Sequence, residues 1–333
     1  MSYPPPYQPG PPPPLPLPRP VYLPVVAEPY ARTWRAPAIR WWRPVVAIVA
    51  GAAAFLVVSI VFGLAGAVAG MAFDPVRTQT VFDAAQRGEI VMTPILFLAN
   101  NVSLALLIPL SMLLAWAFSQ QRPGWLSSVT GRFRWGWFAT CLMVVVPIWL
   151  VLTLAEWWMA PEGEPMRVNP DTWFMIATIL LTTPLQAAGE EYAMRGYLNK
   201  ALGWFTSNRV VGLVLGAVGS SVVFMLIHGA GDGWLNLFYF TFGLAACYLT
   251  WRTGGLEAAV AVHVVNNVVA MASLPFVDIS SVFNREQGTG DPSVLIHIAV
   301  MVVAVAIIDR LAARRGIAAE FTPRPLPTPQ PMW

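Results

Sequence analysis

The sequence predicts an all-α polytopic membrane protein with about eight transmembrane helices and disordered, Pro-rich termini. Of its 333 residues, 56% are hydrophobic and only 11% charged, with a mean hydropathy of +0.60. A soluble domain carries about 25% charged residues. The apolar residues gather in runs near the roughly 20 residues that a spanning helix needs. Proline gathers at the ends, with 15 of 31 at or before Pro44, where it opposes helix and favours extended or disordered chain.

Residues 1–43 read as a Pro-rich disordered cytoplasmic tail. They contain no apolar h-region of a cleavable signal. Runs such as Pro11–Pro14 suit an SH3-like cytoplasmic partner, although a flexible tail is the plainer reading. The membrane helical domain is expected over 44–311, with spans near Val45–Phe73, Met92–Phe118, Trp135–Met159, Trp173–Leu185, Val210–Ile227, Trp234–Trp251, Leu256–Leu274 and Val294–Leu311. The fourth is irregular. Pro184 should loosen it, and its helical pattern runs through a pair of glutamates toward Phe205. The fifth holds Gly212, Gly216, Gly219, Ser220 and Ser221, small residues that allow close helix approach. Residues 312–333 read as a second disordered tail, with prolines at every other position from 323 to 331.

Charge orients the bundle. With the N-terminus inside, 16 of the 20 basic residues fall in cytoplasmic segments, leaving Arg77, Arg87, Arg167 and Arg285 outside. That satisfies the positive-inside rule and places both termini in the cytoplasm of a multi-pass cell-membrane protein. The net charge of +3 is small, and lipid rather than nucleic acid is the expected surroundings. Cys141 and Cys247 lie in apolar runs and read as buried small hydrophobes.

Polar groups within the spans carry the chemistry, because charge in hydrocarbon is costly and marks function. Glu190 and Glu191 are adjacent, and Arg195 stands four residues beyond Glu191, on one helical face with it. Glu191 is then tied to Arg195, leaving Glu190 for chemistry. The plain alternative is a charge cluster snorkelling to the headgroups. His228 ends the fifth span four residues after Phe224. In the seventh span His263 and Asn267 are four apart and share a face. A lone buried histidine is more often an interhelical hydrogen bond, and His297, Asn100 and Asn101 are read as structural.

Taken together, Glu-Glu-x-x-x-Arg, Phe-x-x-x-His and His-x-x-x-Asn on successive helices resemble the CPBP family. These are the CAAX-protease and bacteriocin-processing type intramembrane endopeptidases, which include the type II CAAX prenyl endopeptidases. The resemblance covers about Trp173 to Ala272, within a core drawn at 172–275; Met194 stands where a Phe is often found just before the arginine.

The resemblance implies hydrolysis of a peptide bond in a membrane-associated protein or peptide. Glu190 and His228 would activate a water, His263 and Asn267 would donate to the oxyanion, and Glu191 with Arg195 would support them. Glu190, His228 and His263 also form a donor set for zinc, and the family is often labelled metalloprotease. The metal-independent route is preferred, and no cofactor is certain. A catalytically silent scaffold or bacteriocin-immunity-type protein binding peptides in the same cavity is the alternative. A transporter is a third reading, disfavoured because the halves show no clear inverted repeat. Drawn as straight spans, however, the fourth helix leaves Glu190 near the inner surface and the fifth leaves His228 near the outer one. A break at Pro184, a break in the glycine-rich fifth helix, or spans that begin elsewhere than drawn would each close that gap, and the sequence does not choose among them.

Overall fold

The computed structural model describes residues 20–159, 166–280 and 283–323. The first spanning helix, α1 (Trp42–Phe73), is followed by α2 (Pro75–Gln86), α3 (Pro94–Ala105), α4 (Leu107–Ser119), the single turn α5 (Gly124–Ser127) and α6 (Trp135–Met159). Next come α7 (Thr172–Glu191), a π-helical stretch over Tyr192–Leu198, and α8 (Asn199–Gly203). The chain continues through α9 (Arg209–Ile227), α10 (Gly233–Thr253), α11 (Glu257–Ala270) and α12 (Val294–Arg315). Among the described residues, six helical stretches are long and apolar enough to cross a membrane: α1, α3 with α4, α6, α9, α11 with the turn after it, and α12. The expected fourth and sixth spans also form helices, of 20 and 21 residues, but are too polar to count as apolar crossings. Both carry groups that face inward, Thr183, Gln186, Glu190 and Glu191 on α7, and Thr250 and Thr253 on α10.

Lipid contact explains the exposed surface. On α1, Val49, Leu56, Val57, Ile60, Val61, Leu64 and Val68 are exposed, while its buried face is small: Ala47, Gly66 and Gly70 among others. A Cβ on Gly66 would come within 2.8 Å of the Ala99 side chain on α3, so that glycine permits the approach. α3 and α4 are one stretch broken at Leu106, and Pro109 explains the break. Its ring cannot donate to Ala105 four residues back and crowds that carbonyl.

α11 is the central helix, with every residue from Glu257 to His263 buried. Its small face, Ala258, Ala261, Val262 and Val265, packs against Trp137, Cys141, Val145 and Trp149 of α6, four residues apart and so one stripe. Met301, Ala304, Ile308 and Ala312 of α12 complete this core.

The tails depart from expectation. Residues 20–41, expected within a disordered tail, form a strap across the basic end of the bundle. Tyr30, Trp34 and Ile39 are buried against Leu126, Tyr197 and Leu256. Glu28–Pro29 pair antiparallel with Glu320–Phe321, so the second tail is also ordered that far; 1–19 and 324–333 lie outside the described residues. The cause lies in buried cations that proline counting overlooks. Arg32 donates to the carbonyls of Gly203, Thr206 and Asn208 at 3.2, 3.1 and 3.2 Å and to that of Ser207 at 3.3 Å, and it pairs with Glu28 at 3.1 Å. Lys200, fully buried, reaches back to Thr33 Oγ1 at 2.9 Å and the Trp125 carbonyl at 2.7 Å. Arg32→Met is therefore expected to release the strap, since a hydrogen bond to a charged donor is worth about 1.5–3 kcal/mol. Limited trypsin digestion should cut at Arg35 and Arg40 at least tenfold faster; an unchanged rate would show that the strap is held without Arg32, by its apolar contacts, Lys200 and the strand pairing.

Candidate active site

α7 and α11 lie antiparallel, as three contacts along them show. Thr172 Oγ1 donates to the Pro275 carbonyl at 2.8 Å, Asn267 Nδ2 to Gln186 Oε1 at 3.1 Å, and His263 Nδ1 meets Glu191 Oε1 at 2.7 Å. On its other side α7 presses on the break between α3 and α4. A Cβ on Gly189 would fall 1.9 Å from the Leu104 carbonyl oxygen, so no side chain fits there. That contact fixes the height of the next two residues, Glu190 and Glu191. Asn101 reaches Thr182 and Thr183, both at 3.0 Å, and ties the same face, as its structural reading expects.

The expected separation in depth of Glu190 and His228 does not arise, because α7 does not end at the glutamates. The helical run continues to Gly203, and Glu190 lies about 20 Å from that end at 1.5 Å per residue. Phe224 is about 22 Å along α9 from Arg209, at a similar depth. Side chains lean toward their own helix N-terminus, so Glu190 and His228, on helices of opposite direction, lean toward each other. Neither Pro184 nor the glycines of α9 interrupt their helices. What changes is the helix just after Glu191, where Asn199 N–H bonds to the Met194 carbonyl in π register, a geometry often found at functional sites.

Glu191 and Arg195 are both fully buried and paired at 2.9 Å. Glu191 Oε1 also accepts from His263 Nδ1, which turns His263 Nε2 toward Glu190 Oε2 at 3.7 Å. Glu190 Oε1 accepts from Gln186 Nε2, while Oε2 is buried with no hydrogen-bond partner among the described residues. The Arg195 guanidinium stands 4.3 Å above the Phe224 ring. Phe224 thus packs between Arg195, His228 and His263, with ring distances of 4.5 and 5.9 Å to the two imidazoles.

Glu190, Glu191, Arg195, His263 and Asn267 therefore form one hydrogen-bonded and ion-paired group, and His228 joins it through rings rather than through a hydrogen bond. His228 Nδ1 is held by the Phe224 carbonyl at 2.6 Å, and its ring stacks on Tyr239 at 4.0 Å. From above, Arg285 donates to the His228 carbonyl at 2.7 Å and lies 5.5 Å over Tyr239. Its loop is pinned by Asp232, whose carboxyl the amides of Gly288, Leu235 and Trp234 hold below the usual carboxylate range. His297 stands apart, paired with Glu156 at 3.0 Å. A cavity of about 810 Å³ lies at the far end of the α7–α11 seam, lined by Arg77, Arg167, Asp171, Met175, Pro275 and Asp278 among others, and does not reach the glutamates.

The alternative use of Glu190, His228 and His263 is as zinc ligands. Among the described residues no three His, Cys, Asp or Glu side chains are gathered so that they could hold a metal ion. Nδ1 of His228 and Nδ1 of His263 are engaged, which leaves Nε2 of each ring open. Sequence reasoning overlooked Gln186, Tyr239, Trp149, Asn266 and Phe242, whose ring lies 4.9 Å from the His263 ring. Only Gln186 carried a readable signal, standing four residues before Glu190 on the same face.

The comparisons with known proteins meet this geometry. An uncharacterized protein, YyaK, of Bacillus subtilis (strain 168) is 27% identical over 146 residues. That covers 41% of this chain and 46% of that protein, so the chain matches about half the relative's length. No solved structure matches. Residues 171–269, which supply every expected site residue, match the family of Rce1-like type II CAAX prenyl endopeptidases.

Proposed function

We propose that the protein is an intramembrane endopeptidase that hydrolyses a peptide bond of a membrane-anchored protein or peptide. The observation that carries this reading is Glu190 Oε2, buried, without a hydrogen-bond partner among the described residues and 3.7 Å from His263 Nε2. A small widening of that gap admits a single water hydrogen-bonded to both groups. Glu190 takes a proton from this water as its oxygen adds to the scissile carbonyl carbon, then returns the proton to the leaving nitrogen as the C–N bond breaks. Asn267 Nδ2 gives one hydrogen to Gln186 and has a second for the oxyanion. His263, with Nδ1–H on Glu191, accepts from water through Nε2 when neutral and donates to the oxyanion when protonated. Glu191 fixes that ring, and Arg195 supplies its counter-charge. His228, stacked on Tyr239, bounds the site on the α9 side.

Both termini are assigned to the cytoplasm by the 16-to-four division of basic residues. Cysteine labelling that placed residues 20 and 323 on opposite faces would overturn this. The activity is tested with purified protein in liposomes and a panel of lipid-anchored, quenched-fluorescent peptides, among them a prenylated peptide ending Cys-aliphatic-aliphatic-X. Cleavage is expected, and it should survive a strong zinc chelator. Activity lost to chelation and restored by zinc would replace the glutamate route with a metal route. Binding of peptides without cleavage would favour the scaffold.

A further inference from the structure

A chain of hydrogen bonds crosses three helices and ends on Glu190. Trp149 Nε1 on α6 donates to Asn266 Oδ1 on α11 at 3.4 Å, and Asn266 Nδ2 donates to Asn267 Oδ1 at 3.1 Å. Asn267 Nδ2 donates to Gln186 Oε1 on α7 at 3.1 Å, and Gln186 Nε2 donates to Glu190 Oε1. The two ends fix its direction. An indole nitrogen only donates and an ionised carboxylate only accepts, so all three amides between them have one orientation that satisfies every link. Flipping any one of them would set two donors or two acceptors face to face.

We propose that Trp149, Asn266 and Gln186 are positioning residues that act on Glu190 and Asn267 through this one-way chain. It has two effects. Oε1 of Glu190 is occupied, so the carboxylate is locked in rotation with Oε2 turned to His263 Nε2. The amide of Asn267 is locked against flipping, so its nitrogen rather than its oxygen faces Gln186 and its second N–H stays available. Bonds in series polarise one another in a medium of low dielectric, so charge on Glu190 is felt at the Trp149 indole. Trp149 lies outside the family-matched stretch 171–269, so the matched segment is completed by a donor from another helix.

The chain is tested first without any substrate. In protein labelled with 15N-tryptophan, the Trp149 indole resonance is identified by its loss in Trp149→Phe. Asn266→Ala removes the acceptor directly and gives the full upfield shift of the indole proton. Gln186→Leu and Glu190→Gln, both remote from the indole, are expected to move it in the same direction by a smaller amount. A resonance that responds to Asn266→Ala but to neither of these would overturn the chain.

The kinetic half rests on the endopeptidase reading. With any peptide of the panel that the wild type cleaves, Gln186→Leu should lower kcat about tenfold, the size of one lost hydrogen bond, and leave KM unchanged. Trp149→Phe should lower it about threefold, and the double variant should be no worse than Gln186→Leu. Residues on different helices without contact are otherwise additive, so a roughly thirtyfold loss in the double variant would sink the coupling. If Glu190→Gln leaves cleavage intact, the catalytic reading fails while the resonance experiment still judges the chain.

Discussion

Glu190→Gln is expected to lower turnover by at least the 10²–10⁴-fold typical of general acid–base catalysis, with folded yield in detergent close to wild type. The substitution keeps the shape of the side chain and exchanges an acceptor oxygen for an NH₂ group. Glu190 makes no ion pair with Arg195, so the change strands no cation. The new amide places its oxygen toward the Gln186 nitrogen and its NH₂ toward His263 Nε2, an arrangement the neutral imidazole accepts. Stability is therefore spared while the proton acceptor is lost. Steady-state cleavage alongside thermal unfolding separates the two effects, and cleavage at the wild-type rate would remove Glu190 from the chemistry.

Glu191→Gln, one residue along, should behave in the opposite way. Glu191 is the one hydrogen-bonding partner the Arg195 side chain has among the described residues, because Arg195 Nε and Nη2 are buried without partners. Removing one member of a fully buried pair leaves an uncompensated charge and costs about 3–5 kcal/mol. A large fall in thermal midpoint is expected, with activity lost through the freed His263 ring. The double substitution Glu191→Leu with Arg195→Met removes both charges, and buried pairs replaced by apolar groups of similar volume are often neutral or stabilising. It should recover the midpoint but not the activity. A Glu191→Gln protein as stable as the wild type would mean that Arg195 is held by its stacking on Phe224 and not by charge.

Hydropathy made the helices legible, because in a membrane the apolar run and the helix coincide. The two expected spans too polar to count by composition are α7 and α10, and α7 carries the glutamates. The Glu191–Arg195 pair could be read at four-residue spacing because both partners lie on one helix. His263 against Glu191, and Asn267 against Gln186, could not, since such contacts depend on the register of α7 against α11. That register belongs to the packed bundle, where Gly189 on Leu104 sets the height of α7 against α3, and neither residue resembles a catalytic signal. The extension of α7 to Gly203 was foreshadowed by the helical pattern running toward Phe205. Ending the span at Leu185 produced the apparent gap to His228. The strap was hidden because proline density describes what a segment does alone, whereas Arg32 and Tyr30 are held by partners far along the sequence.

That distance has a consequence for the order of assembly. During synthesis residues 28–34 emerge early, but the carbonyls that Arg32 binds belong to Gly203, Thr206, Ser207 and Asn208, and the strand that Glu28 joins is at 320–321. Arg32 must wait for partners 171 to 176 residues further on, and the strand pairing waits until Glu320–Phe321 are made; contacts of such long sequence separation form late. Prolines suit that interval, since a chain that cannot build stable helix or sheet alone is poorly equipped to mispair. Seating of the strap is thus a natural last step of maturation, and it happens only when the helical run ending at Gly203, the run that carries both glutamates, is already in place.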